Sequence, residues 1–161
     1  MSKVVTLTNL YKQLKLAKQE GKKIVLATGC FDILHSAHAA FLRRAKQEGD
    51  LLLVGLESDK RVNKLKGRGR PVNRFWKRAR NLEFLSQVDF VFSLPDNLDQ
   101  KEVQYSLLNA IKPDILAVSS HTSHLSKKKA LMDKLGGKLK MVLVQDPTIS
   151  TSKILKEKNF C

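Results

Sequence analysis

Acidic residues are scarce in this chain: 15 Asp and Glu stand against 30 Lys and Arg over 161 residues, for a formal net charge of +15 and a sequence pI near 10.0. That imbalance implies an anionic partner but leaves open nucleic acid, an acidic lipid surface or a nucleoside triphosphate. Cysteine is scarcer still. Cys30 and Cys161 make no disulfide framework, which fits a reducing cytoplasm. Apolar runs such as Leu51–Leu56 are short, which excludes a transmembrane helix of about 20 residues. Residues 1–9 carry one Lys and no long apolar stretch, against a signal peptide. The glycine signatures G-x-G-x-x-G and G-x-x-x-x-G-K-[ST] are both missing, so neither a dinucleotide fingerprint nor a P-loop is indicated.

What remains is globular: 42% hydrophobic and 28% charged residues. The length suits one domain, 1–161, with core enough to fold without disulfide or metal staples. Leu7, Leu10, Leu14 and Ala17 form one helical stripe, stopped at Gly21. Apolar runs at 24–28, 51–56, 88–94, 115–119 and 139–144 read as buried strands. Helices are expected over 37–48, over 74–87 with Asn73 as cap, over 101–111, from Ser123 or Ser126 to the Gly136–Gly137 pair, and over 150–160. Alternating strands and helices predict an α/β fold, a doubly wound five-stranded parallel sheet. Ligands in such folds lie beyond the carboxyl ends of the strands, so the loops after Thr28, Leu56, Ser119 and Val144 are the candidate site.

The first of these loops reads Thr28-Gly29-Cys30-Phe31-Asp32-Ile33-Leu34-His35-Ser36-Ala37-His38. Two histidines three apart at a helix start face the same side. With the free N–H groups and positive dipole end of the helix they make a cradle for a polyphosphate; the competing reading is two incidental surface histidines. All four histidines occur as His-x-x-His pairs, and His121/His124 with His35/His38 open a minority reading of a zinc site. Residues 60–80 hold ten Lys and Arg and no acid, interrupted by Phe75 and Trp76. Stacking of these aromatics on bases would make a nucleic-acid surface, bound weakly and salt-sensitively; packing of Phe75 or Trp76 in the core is the favoured alternative. Lys12, Lys15, Lys18 and the lysines at 127–129 are expected on solvated helix faces away from any motif.

Residues 29–38 resemble the G-x-F-D-x-x-H-x-G-H signature of the cytidylyltransferase-like nucleotidyltransferase superfamily. Phe41-Leu42 and Ala45 to Gly49-Asp50 are similar to its F-L-x-x-A-x-x-x-G-D segment. Leu65-Lys66-Gly67, Arg70-Pro71-Val72-Asn73 and Arg78-Ala79 resemble the branch that adenylylates heptose 1-phosphate. Ile149-Ser150-Thr151-Ser152-Lys153-Ile154 is similar to the family's I-S-[ST]-[ST] motif.

The resemblance implies a Rossmann-like nucleotidyltransferase fold and a reaction in which a phosphorylated small molecule attacks the α-phosphorus of a nucleoside triphosphate. It implies His35 and His38 on the triphosphate, with Lys66 and Arg78 supplying charge to the transition state, the competing reading for those two being a solvated basic face. Gly29, Cys30, Phe31 and Ala37 would surround the nucleotide. Ser150, Thr151 and Ser152 would hold the leaving phosphates, though as serines and threonines they also suit a plain helix cap. Asp32, Ser120 and His121 would face the acceptor, and Mg²⁺ would come with the nucleotide. ATP is favoured over CTP. A sugar or polyol phosphate is the favoured acceptor, with FMN an alternative, and a homodimer is the family's common state.

Two positions depart from the pattern. Ala37 replaces a Gly, which motivates a catalytically degenerate alternative. Val118-Ser119-Ser120-His121 replaces a Lys-Gly-Gly-Asp-like segment, so the acceptor's identity does not carry over.

Overall fold

Strand β1 (Ile24–Gly29) shows how the sheet is buried. Its odd and even side chains go to opposite faces, as a pleated strand requires. Val25 and Ala27 join one apolar layer with Phe41, Leu42, Leu52, Val54, Ala79 and Leu82. Ile24 and Leu26 join the other, with Leu10, Leu14, Leu53, Phe92, Ile111 and Met132. The computed structural model describes residues 1–144, 153 and 154. The helix expected over 150–160, with Ser150, Thr151, Ser152 and Cys161, lies outside them except for Lys153 and Ile154.

The chain runs α1 (Leu7–Gln19), β1, α2 (Ser36–Lys46), β2 (Leu51–Leu56), α3 (Asp59–Lys66), α4 (Phe75–Glu83), β3 (Phe90–Ser93), α5 (Lys101–Ile111), β4 (Ile115–Ser119), α6 (Leu125–Lys134) and β5 (Lys138–Leu143). The five strands are all parallel, in the order β3-β2-β1-β4-β5. The chain moves outward from β1 to β3, then returns to lay β4 on the other side of β1. That reversal opens a crevice at the carboxyl ends of β1 and β4.

The opposite end of the sheet is closed by carboxylates. Asp50, Asp114 and Asp89 each accept a strand-entry N–H, from Lys23, Ile24 and Leu52, all at 2.7 Å. Three of the few acids are thus spent on backbone donors that would otherwise be unpaired.

The structure corrects several boundaries. α4 starts at Phe75 with Arg74 as its cap position, not at a cap formed by Asn73, and it stops at Glu83. Asn73 is instead engaged with Asp32. α6 is preceded by His124 in a left-handed conformation (φ 55°), so neither Ser123 nor Ser126 opens it. α3 has no counterpart in the sequence reading. It is eight residues long and highly charged, with only Arg61 and Val62 buried, so it offers no apolar stripe to detect. Its start is fixed by Ser58 Oγ, which accepts from Arg61 N at 3.2 Å.

Leu53 lies at the centre of β2 with no exposed surface. Leu53→Ala is expected to lower the unfolding free energy by about 2–5 kcal/mol, as deletion of a buried leucine does where the cavity cannot collapse. Urea denaturation checks it, and a loss below about 0.5 kcal/mol would contradict the double-layered core.

Candidate active site

The turn after β1 is built around one glycine and one strained phenylalanine. Phe31 has φ 46°, a region that side-chain-bearing residues rarely occupy. The turn brings the ring back over Gly29, where an added Cβ would meet Phe31 Cε2 at 2.9 Å. The same ring lies 5.2 Å from that of His38. His35 occupies the cap position of α2 in extended conformation, without a side-chain cap bond, and the first turn holds no acid. The α2 N-terminus therefore presents N–H donors and a positive dipole end.

The rings of His35 and His38 stack, centroids 3.8 Å apart and 19° from parallel. Burial pushes the His38 pKa down to about 4, and the neighbouring His35 and Lys66 push the same way; the Ile33 backbone carbonyl opposes them. Burial also lowers that of His35. The pair is neutral at pH 7. Each Nδ1 is buried without a hydrogen-bond partner among the described residues, a state that invites a ligand or water.

Asp32 is engaged within the protein. Its fully buried carboxylate accepts from Arg70 Nε at 2.8 Å and from the backbone N–H groups of Val72 and Asn73 at 2.9 Å each. Asn73 Nδ2 donates back to Asp32 O at 2.8 Å. Arg78, also fully buried, donates from Nε to Asn73 O, from Nη1 to Cys30 O and Glu57 O, and from Nη2 to Asp59. Asp32 and Arg78 together tie the β1–α2 turn, the end of β2 and the 70–73 loop into one unit.

These elements wall a cleft of about 430 Å³. One side holds Gly29, Cys30, Phe31, Asp32, His35 and His38, the second Leu65, Lys66 and Arg70, and the third Ser119, His121, Thr122, Ser123 and Lys128, with Glu57 at the end of β2. Burial pushes the Cys30 thiol up. The structure therefore brings Gly29, Cys30, Phe31, Asp32, His35, His38, Lys66 and His121 to one cavity. Ala37 is buried in α2 and Ser120 donates its N–H to Leu143 O at 3.0 Å; neither lines the cleft. Arg78 does not line it either. Among the described residues no group of three or more His, Cys, Asp or Glu could hold a metal ion, so the two histidine pairs form no such site there.

A family model described as cytidylyltransferase-like matches residues 26–157. The chain belongs to the cytidylyltransferase-like family. Among its relatives, the bifunctional protein HldE of Methylobacillus flagellatus is 36% identical over 156 residues, which is 96% of this chain and 31% of that protein. The HldE of Sulfurimonas denitrificans is 40% identical over 144 residues, 89% of this chain and 28% of that one. The chain thus spans about a third of the length of the curated relatives it matches. A crystal structure described as a lipopolysaccharide core biosynthesis protein, from Thermoplasma volcanium, superposes with a TM-score of 0.64 at 26% identity, covering 78% of this chain and 98% of that one.

Within this family member, three charged cleft residues are not singled out by the sequence. Arg70 sits inside the R-P-x-N stretch, whose pattern does not show its partner. Glu57 follows β2, in a loop already marked as part of the candidate site. Lys128 belongs to three consecutive lysines expected to be solvated. Successive helical residues lie about 100° apart, so such a run cannot all face water once one side packs, but the sequence does not say which turns inward. The basic segment is also sorted. Arg61, Lys64, Arg70 and Arg78 are paired with carboxylates, and Lys66 faces the cleft. Phe75 packs against the core, whereas Trp76 is 73% exposed. No helix among the described residues is long and apolar enough to cross a membrane.

Arg78→Met should cost about 3–5 kcal/mol in urea denaturation, because it strands buried acceptors. A variant as stable as the parent would refute the scaffold role. The histidines predict a pH effect. His38 titrates near 4 in the folded chain against 6.5 in the unfolded one, so its contribution to stability is complete above pH 6.5 and is lost as pH falls toward 4. Proton NMR should find the His38 midpoint near 4 and see it rise when a triphosphate binds; a midpoint at 6.5 would contradict the buried stack.

Proposed function

We propose that the chain moves a nucleoside monophosphate, AMP in the favoured case, from a triphosphate to a phosphorylated sugar or polyol and releases pyrophosphate. The observation that carries this reading is the stacked, neutral His35–His38 pair at the uncapped N-terminus of α2. The similarity to HldE proteins and the L-K-G…R-P-x-N stretch support an adenylyl donor and a heptose 1-phosphate-like acceptor.

An oxygen of the acceptor's phosphate attacks the α-phosphorus and forms the new P–O bond. The bond from the α-phosphorus to the bridging oxygen breaks, and its electron pair departs with pyrophosphate. No group on the enzyme needs to become covalently attached, so the work is positioning and charge stabilisation. His35 and His38, with the α2 N–H groups, hold the triphosphate as hydrogen-bond donors. Lys66 adds charge as phosphorus becomes pentacoordinate. Arg78 and Asp32 act indirectly by fixing the cleft's shape. Ser150, Thr151 and Ser152, outside the described residues, are assigned the leaving phosphates. Mg²⁺ enters as the triphosphate's counterion. The cleft carboxylates Asp32 and Glu57 are already engaged by Arg70 and Arg61, so phosphate oxygens would hold the ion. The exposed cations Arg74, Lys77 and Arg80 around Trp76 have no part in this reading.

The test is pyrophosphate release over a matrix of nucleotides and phosphorylated acceptors, run alongside His38→Ala. One ATP–sugar phosphate pair should turn over, and His38→Ala should reduce its rate by at least about 10²-fold with folding intact. Activity confined to CTP or FMN would reassign the substrate. Near-normal turnover by His38→Ala would remove the central role of the pair.

A further inference from the structure

Among the described residues, the cleft carries two cations that are not paired with a carboxylate, and they come from different walls, Lys66 from the end of α3 and Lys128 from α6. Lys66 acts electrostatically on His38 and Cys30, both of which line the same cleft. Lys128, on α6, senses Glu57, which also acts on Cys30. Lys128 is half-buried on α6 and makes no hydrogen bond or ion pair among the described residues. Its neighbours differ: Lys127 is exposed, and Lys129 pairs with Asp133 at 2.6 Å. Glu57 is buried and accepts from Arg61 Nε at 2.6 Å through Oε2, so its charge is already balanced without Lys128. A desolvated ammonium with no partner is costly, and an anionic ligand removes that cost. The same wall lacks a cation at the end of β4, where Val118 is buried. The charge comes from the following helix instead.

Resting on the transferase reading above, we propose that Lys128 and Glu57 form the acceptor subsite. It takes a hydroxylated phosphate ester, with Lys128 Nζ on the phosphate and the Glu57 carboxylate accepting from a hydroxyl. The pairing suits a phosphorylated polyol or sugar, which carries both groups a short distance apart. It separates the two substrates by chemistry. The triphosphate takes the histidines, the α2 N-terminus and Lys66, and the acceptor takes the wall built by β2 and α6.

Calorimetry on the full chain, with a non-hydrolysable ATP analogue bound, tests this using heptose 1-phosphate, glycerol 3-phosphate and inorganic phosphate as probes. Lys128→Met should weaken the best-binding phosphate ester and inorganic phosphate by about tenfold or more, the scale of a lost charge-assisted hydrogen bond. It should leave affinity for the ATP analogue within about twofold. Glu57→Gln should weaken the ester but not inorganic phosphate, and Lys127→Met should change nothing. An unchanged ester affinity in Lys128→Met, a loss of ATP-analogue affinity instead, or a parent chain that binds neither ester would each overturn the subsite. Ester binding that depends on Lys128 without any pyrophosphate release would uphold the subsite and reject the transfer reaction.

Discussion

A carboxylate with no exposed surface holds this cleft together. Asp32 stands where β1 turns into α2, and its two oxygens gather Arg70, Val72 and Asn73 from a loop some 40 residues further on. A buried charge is tolerable only when it is fully hydrogen-bonded, so the loop is drawn to the turn by the cost of leaving Asp32 bare. Arg78 extends the same device. Its guanidinium collects the carbonyls of Cys30, Glu57 and Asn73, which come from three different segments. The histidine stack, Lys66 and Glu57 are placed relative to one another through these two residues.

The scarcity of acid in the chain becomes intelligible in these terms. Asp50, Asp89 and Asp114 receive strand-entry N–H groups, and Asp32, Glu57, Asp59 and Asp99 receive arginines and lysines of the basic segment. Among the described residues, no carboxylate pairs with Lys66 or Lys128. The cleft keeps positive charge because Asp32 and Glu57, the acids among its described lining residues, are already bonded. The excess of +15 therefore has a local expression at the site, while other lysines and arginines lie on outer helix faces.

Much of the fold was legible because both faces of the sheet are buried. Continuous apolar runs marked β2 and β4 to the residue, and the return of apolar residues at helical spacing marked α1 and α5. α3 was not legible, since a short charged helix held by one serine and a buried Arg61–Glu57 pair leaves no periodicity. At the site, the sequence showed which residues belong together but not how each is used. Asp32, Arg78 and Lys66 read alike as polar residues in a motif. Burial separates them: Asp32 and Arg78 are inward and hydrogen-bonded, and Lys66 is exposed at the cleft with no ion pair among the described residues. Lys128 looks like its solvated neighbours in the sequence, and one rotation of about 100° along a helix is invisible without the packing that fixes it.

The claim beneath all of this is that the cleft directs attack to the α-phosphorus of a nucleotide. Phosphorus NMR of a reaction containing the chain, Mg²⁺, ATP and heptose 1-phosphate tests it most directly. The account predicts two coupled signals of a new diphosphate diester, growing together with free pyrophosphate. Formation of ADP with a phosphate transferred from the γ-position, or of ADP and orthophosphate alone, would contradict it.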